Sequence, residues 1–255
     1  MATEAGARAA GEAAAALNPL EQFEIHRLLP IRIGNIDLSF TNSSLWMFIT
    51  IGVVALFLLG GGARLVPGRW QSAKEIIYEM MSSMTRDMLG EKGRPFFPFV
   101  FALFMFILTA NMLGLVPYSF TVTSHIIVTF AMALFVFVLA TVVGFVKHGL
   151  GYLKLFSPSG VHWVMKIILV PIEIISYFTR PISLSVRLFA NMMAGHTMLK
   201  VFAGFVIGLG LIGGWAPLAM MVALTGLEVL VAALQAYVFA MLTVIYLNDA
   251  INMDH

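Results

Sequence analysis

Five long apolar runs, separated by short polar segments, set the pattern of this chain. The first starts near Ser44 and passes through Leu45-Trp46-Met47-Phe48-Ile49 to Leu59. Trp46 suits an interface and Gly60-Gly61-Gly62 ends the run, so a span is expected over residues 44–62. Runs over 96–116 and 126–146 each approach the ~20 residues that cross a bilayer at 1.5 Å per residue, and read as a transmembrane hairpin. The apolar chain over 164–211 is different, because Pro171 and Pro181 lie inside it. As one helix it would reach ~70 Å against a ~30 Å hydrocarbon core, so it must be broken or steeply tilted. The last element, over 217–248, is also too long for an upright crossing and should tilt. Gly208, Gly210, Gly213 and Gly214 lie between the two long elements and supply a tight reversal, which predicts an antiparallel pair.

Residues 67–90 follow a different period. Ala73, Ile77, Met80, Met81, Met84 and Met88 share one helical face, with Glu75, Glu79, Ser82 and Arg86 opposite, and this predicts an amphipathic helix lying at the membrane interface. Residues 1–17, Ala-rich with Glu4, Arg8 and Glu12, read as a flexible tail with neither the apolar core of a secretory signal nor the composition of a transit peptide. Residues 18–255 are expected to form a single integral membrane domain. Basic side chains cluster between Arg64 and Arg94 and at Lys147, Lys154 and Lys166, whereas the turn from Pro117 to His125 has no Lys or Arg. The positive-inside rule places the basic segments in the cytoplasm and the tail and the hairpin turn outside.

Composition narrows the functional classes. A chain of 255 residues that is 60% hydrophobic and 11% charged is an all-α membrane protein. Its partner is the lipid bilayer, and a net charge of +2 gives no basis for nucleic-acid binding. With no cysteine there is no thiolate nucleophile, iron–sulfur site or cysteine zinc site, and no metal or other cofactor is expected. A secondary transporter would show paired halves about a central site, and no internal repeat is visible. An intramembrane hydrolase would need a His-Glu-x-x-His motif, paired aspartates or an activated serine, and the membrane region has no Asp before Asp249. No catalytic site is expected in this chain.

Against that apolar background the intramembrane polar residues stand out: Glu173, Arg180, Arg187, Asn191, His196 and Lys200 in the first long element, Glu228 and Gln235 in the second. A charge at the bilayer centre costs about 2.5–3.5 kcal/mol even on insertion scales, so such residues are paired, near an end, or functional. Lys200 and Arg180 have a structural reading as readily as a functional one, through snorkelling and through water beside Pro181. Arg187 lies among Leu184, Val186, Leu188 and Phe189, far from either end, and reads as functional. Glu173, Arg180 and Arg187 recur every seven residues and Asn191 follows by four, placing them along one helical stripe, whereas His196 faces half a turn away. In an antiparallel hairpin turning near Leu211, level residues have numbers summing to about 422. Arg187 with Gln235 and His196 with Glu228 meet that condition, predicting an arginine beside an amide and a titratable pair.

The run Ser183-Leu184-Ser185-Val186-Arg187-Leu188-Phe189-Ala190-Asn191-Met192-Met193-Ala194-Gly195 resembles the signature of subunit a of F-type ATP synthase. Asn18-Pro19-Leu20-Glu21-Gln22-Phe23-Glu24-Ile25, Asn111-Met112-Leu113-Gly114-Leu115-Val116-Pro117 and Leu234-Gln235-Ala236-Tyr237-Val238-Phe239 extend the likeness over nearly the whole chain. The resemblance implies a proton-translocating stator subunit in a bacterial inner membrane, working with a ring of c subunits and with peripheral-stalk b subunits. It implies that Arg187 faces the ring carboxylate with Gln235 beside it and that Asn191, His196 and Glu228 belong to the proton path; Glu173, on the stripe of Arg187, is a further candidate for proton translocation. Some bacterial members carry Glu at the position of His196 and His at that of Glu228; the exchange keeps both titratable types and supports their proximity. An aspartate-rich hairpin loop of those members is missing here.

Overall fold

The protein is described by a computed structural model over residues 23–30, 32–33, 36–37, 39–60, 68–116, 119–156 and 163–252. The tail expected over 1–17 lies outside the described residues. Among the described residues six α-helices follow one another: α1 (Asn42–Leu59), α2 (Arg69–Leu89), α3 (Phe97–Gly114), α4 (Ile126–His148), α5 (Trp163–Gly213) and α6 (Trp215–Ile251). Five of them, all but α2, are long and apolar enough to cross a membrane. The all-α membrane architecture expected from the apolar runs is therefore present, with one addition. Ahead of α1, two short antiparallel ribbons pair Arg27–Leu29 with Phe40–Thr41 and Arg32–Ile33 with Ile36–Asp37. Strands of two or three residues carry no readable alternation, so periodicity does not reveal them.

Local chemistry explains the element ends. The Thr41 side chain accepts from the Ser44 amide and caps α1. At the other end of α1, Lys74 of α2 donates to the carbonyl oxygens of Leu58 and Gly60, satisfying acceptors that the helix leaves open. Helix α3 carries Pro98 in its first turn, where no intrahelical donor is lost. The two prolines of α5 do not break it; the only non-helical dihedrals lie at Gly210, whose φ of 63° favours glycine. The span Met165–Gly210 has 46 residues, ~69 Å of helix, so the long element is held in the membrane by inclination and not by a break at Pro171 or Pro181.

Helix α6 is the spine, running against α5, α3, α4 and α2. Its buried face alternates Ala232, Ala236 and Ala240 with Phe239, Val244 and Leu247, and small side chains let neighbouring helices approach closely. Helix α5 answers with Leu184, Leu188 and Met192, spaced by four. Large apolar side chains cover the outside, Val146 and Ile127 among them, as a protein solvated by lipid requires. On α2, Met81 and Met84 are buried, but Met80, expected on the same face, is exposed, because the buried stripe continues through Thr85 and Leu89 and leaves Met80 at its edge.

Candidate functional site

The site is built on the two faces of α5. Leu184, Ser185, Leu188 and Met192 turn inward, which obliges Ser183, Arg187, Ala190 and Asn191 to face outward. Arg187 is exposed and, among the described residues, makes no hydrogen bond or ion pair. Its neighbours on that face are small, Ser183, Ala190 and Ala194, so the guanidinium stands clear on an otherwise low surface. Asn191, one turn on, donates from Nδ2 to Gln235 Oε1 at 3.1 Å. This corrects the level pair expected from the sequence: the amide of Gln235 meets Asn191, not Arg187. The reversal is centred beyond Leu211, with α6 starting at Trp215, and helices that cross at an angle lose register away from the turn.

His196 lies half a turn from Arg187 and is buried against α6, as the nine-residue spacing requires. Its Nε2 is 3.7 Å from Glu228 Oε1 and shares a 3.1 Å hydrogen bond with Thr121 Oγ1. The expected His196–Glu228 juxtaposition is thus present. Neither oxygen of the buried Glu228 has a hydrogen-bond partner among the described residues. Gly195 makes the room, since a Cβ there would lie 2.5 Å from Glu228 Oε1. Helix α3 is tied in beside them: Asn111, fully buried, donates to Ala232 O at 3.2 Å and accepts from Thr123 Oγ1 at 2.8 Å.

A cleft of about 780 Å³ opens onto His196, lined also by Lys200 and Ala203 of α5, Met221 of α6, Ser119 and Phe120 of the hairpin turn, and Glu24, His26 and Asn42. Asn42 holds that last wall in place, donating from Nδ2 to Glu24 O and accepting from the His26 amide. The hairpin turn also carries His125, stacked on Phe120 with ring centroids 4.9 Å apart. Burial lowers the proton affinity of His125 below the ordinary histidine value, and its Nε2 is buried without a hydrogen-bond partner among the described residues.

At the opposite end of the α5–α6 pair, Arg180 Nη1 donates to Asp249 Oδ2 at 2.9 Å, with the guanidinium also over the Tyr177 and Tyr246 rings. Tyr177 shares hydrogen bonds with Thr141 at 2.6 Å and Tyr152 at 3.1 Å. Arg180 thus reaches across to α6, whereas Arg187, one seven-residue step on, is exposed. Glu173, half-buried on α5, stands ~21 Å along the axis from Arg187 and is not brought into contact with the other candidates. Thr121, Asn111 and Asp249 are polar residues that sequence reasoning missed. Asp249 had a signal, as the only acidic residue near the level of Arg180, and Asn111 had one in the Asn111–Pro117 run that carries the family likeness; Thr121 had none beyond being polar in an apolar hairpin.

The fold and site define a multi-pass helical membrane protein whose polar residues gather on one long helical hairpin. A family model described as ATP synthase A chain matches residues 44–248. The chain is 60% identical over 243 residues to ATP synthase subunit a of Pelagibacter ubique (strain HTCC1062), covering 94% of this chain and 100% of the relative. It is 59% identical over 251 residues to ATP synthase subunit a of Mesorhizobium japonicum, covering 95% and 100%. For ATP synthase subunit a of Rhodospirillum rubrum the identity is 53% over 238 residues, covering 92% and 99%. The chain belongs to the ATP synthase A chain family.

Proposed function

We propose that this chain is the proton-conducting stator subunit of a bacterial F-type ATP synthase, held in the inner membrane beside a ring of c subunits and joined to peripheral-stalk b subunits. The observation that carries the reading is Arg187, exposed at mid-length of α5 and with no side-chain partner among the described residues. An unpartnered arginine within a membrane span is costly unless an anion meets it, and a carboxylate on the ring is such an anion. Its guanidinium stays protonated, so it holds an ionised carboxylate, favours release of that carboxylate's proton and blocks a direct leak, without relaying protons itself.

Protons reach the ring from one side through the cleft that ends at His196, which stands ~13 Å along α5 from Arg187 and passes them to Glu228 behind it. Asn191 and Gln235, bonded to each other, line the step between the pair and the arginine. Glu173 serves the second half-channel, on the other side of Arg187. A protonated ring carboxylate crosses the lipid and an ionised one does not, so the lateral offset of the two paths converts proton flow into rotation. Each proton crossing supplies about 2.3 kcal/mol per 100 mV, so several are pooled for each synthesis step, which takes place elsewhere in the complex. No residue of this chain acts as a nucleophile.

Because the chain has no cysteine, the proposal is tested by single substitutions in the assembled complex. Ala190→Cys, on the face of Arg187, should cross-link to a cysteine placed beside the ring carboxylate; Phe135→Cys, exposed on α4, should not. Equal cross-linking at both positions, or none at Ala190→Cys, rejects the assignment of that face.

A further inference from the structure

Away from the hairpin, two clefts meet between α1, α2 and α3. One, of about 650 Å³, is apolar and lined by Ile51, Val54 and Leu58 of α1 with Phe101 and Phe106 of α3. The other, of about 300 Å³, is polar and lined by Ser82 and Arg86 of α2 with Glu91 and Arg94. Tyr78 and Phe97 line both. Their rings are in edge contact at 5.0 Å, so the cationic cleft continues directly into the apolar one. Neither the Arg86 nor the Arg94 side chain has a hydrogen bond or ion pair among the described residues, and both residues are exposed. Glu91 offsets one of the two charges and leaves the polar cleft net positive.

We propose that these joined clefts bind one anionic glycerophospholipid, its phosphate between Arg86 and Arg94 and an acyl chain along α3. The chemistry matches at both ends. Guanidinium groups bind phosphate oxygens in paired geometry, and Ser82 adds a neutral donor. From Phe97 to Phe106 the apolar cleft follows α3 for ~13 Å, close to the ~15 Å depth of one leaflet of a ~30 Å hydrocarbon core. Tyr78, which lines both clefts with its ring against Phe97 and Phe101, is placed as an interfacial tyrosine would be. The site lies on the side of α3 away from the proton path, so its function is to seat α1 and α2 against the rest of the subunit through a bound lipid.

The test uses the assembled complex in phosphatidylcholine vesicles containing a trace of phosphatidylglycerol with a photoactivatable acyl chain. Photolysis should label residues 51–58 and 97–106. Unlabelled phosphatidylglycerol should compete, whereas extra phosphatidylcholine and soluble glycerol phosphate should not. Arg86→Gln and Arg94→Gln should each weaken labelling by about fivefold, the effect of one basic side chain near a membrane surface. Competition on the unaltered complex stands even if a variant fails to assemble. Absence of label from both segments, as when a partner helix fills the cleft, overturns the proposal. So does equal competition by phosphatidylcholine, or displacement by glycerol phosphate, which would mark a headgroup-only anion site.

Discussion

Exchanging His196 and Glu228 tests whether the two act as one unit. They face each other at 3.7 Å with little solvent between them, their side chains 10% and 7% exposed. His196→Glu alone places two carboxylates at that separation, and Glu228→His alone places two imidazoles there. Like charges about 4 Å apart repel by about 4 kcal/mol at an effective dielectric constant of 20, which disfavours the doubly charged state by about a thousandfold. Each single variant should therefore lose most of its proton flux, while the double exchange restores one group of each type at the same spacing. Coupling between contacting residues runs to about 3 kcal/mol, so the double variant should exceed the product of the single-variant fractions by at least about tenfold. The assay is ATP-driven acidification of inverted vesicles, normalised to assembled complex. A double variant whose flux equals the product of the two single fractions refutes the pairing.

Other consequences are more local. Gly195→Ala would put a Cβ 2.5 Å from Glu228 Oε1, so the carboxylate must move from His196, and proton pumping should fall several-fold in a fully assembled complex. Asn111→Ala removes the bonds to Ala232 and Thr123 inside the core and should cost about 1–3 kcal/mol, read as earlier thermal loss of the subunit from the complex; an unchanged transition would contradict it. The folded state holds a proton on His125 less readily than the unfolded chain does. Its contribution to stability is therefore complete above the ordinary histidine value of about 6.5 and is lost as pH falls below it. His125→Gln should flatten the decline of the melting temperature between neutral and acid pH, and an identical decline would contradict the assignment.

How much of this was legible in the sequence follows from which physical signal each feature leaves. The spans were legible because lipid demands long apolar runs, and α5 and α6 fall close to the expected 164–211 and 217–248. The prolines misled only in allowing a broken element; the inclined helix absorbs both and yields at Gly210. The His196–Glu228 pair was legible from level-matching because it lies close to the turn, where register error is small. Gln235 lies farther from the turn, and a shift of one helical turn passed its partner from Arg187 to Asn191. Thr121 was not legible, and Asn111 only as part of the Asn111–Pro117 likeness, since their contacts join segments distant along the chain, which leave no local period. The outward face of Arg187 was implicit in the apolar spacing of Leu184, Leu188 and Met192, which buries one side of α5 and excludes the arginine from it.

The central claim is that the charge of Arg187 itself couples proton flow to the ring. The most direct measurement is ATP-driven proton pumping, together with passive proton leak, in inverted vesicles carrying Arg187→Ala and Arg187→Lys. Arg187→Ala truncates an exposed side chain with no partner among the described residues, so the complex should assemble normally. Pumping should be abolished, and Arg187→Lys should rescue it poorly, because an ammonium lacks the planar fork and can lose its proton when desolvated. Near-normal pumping by assembled Arg187→Ala would contradict the account.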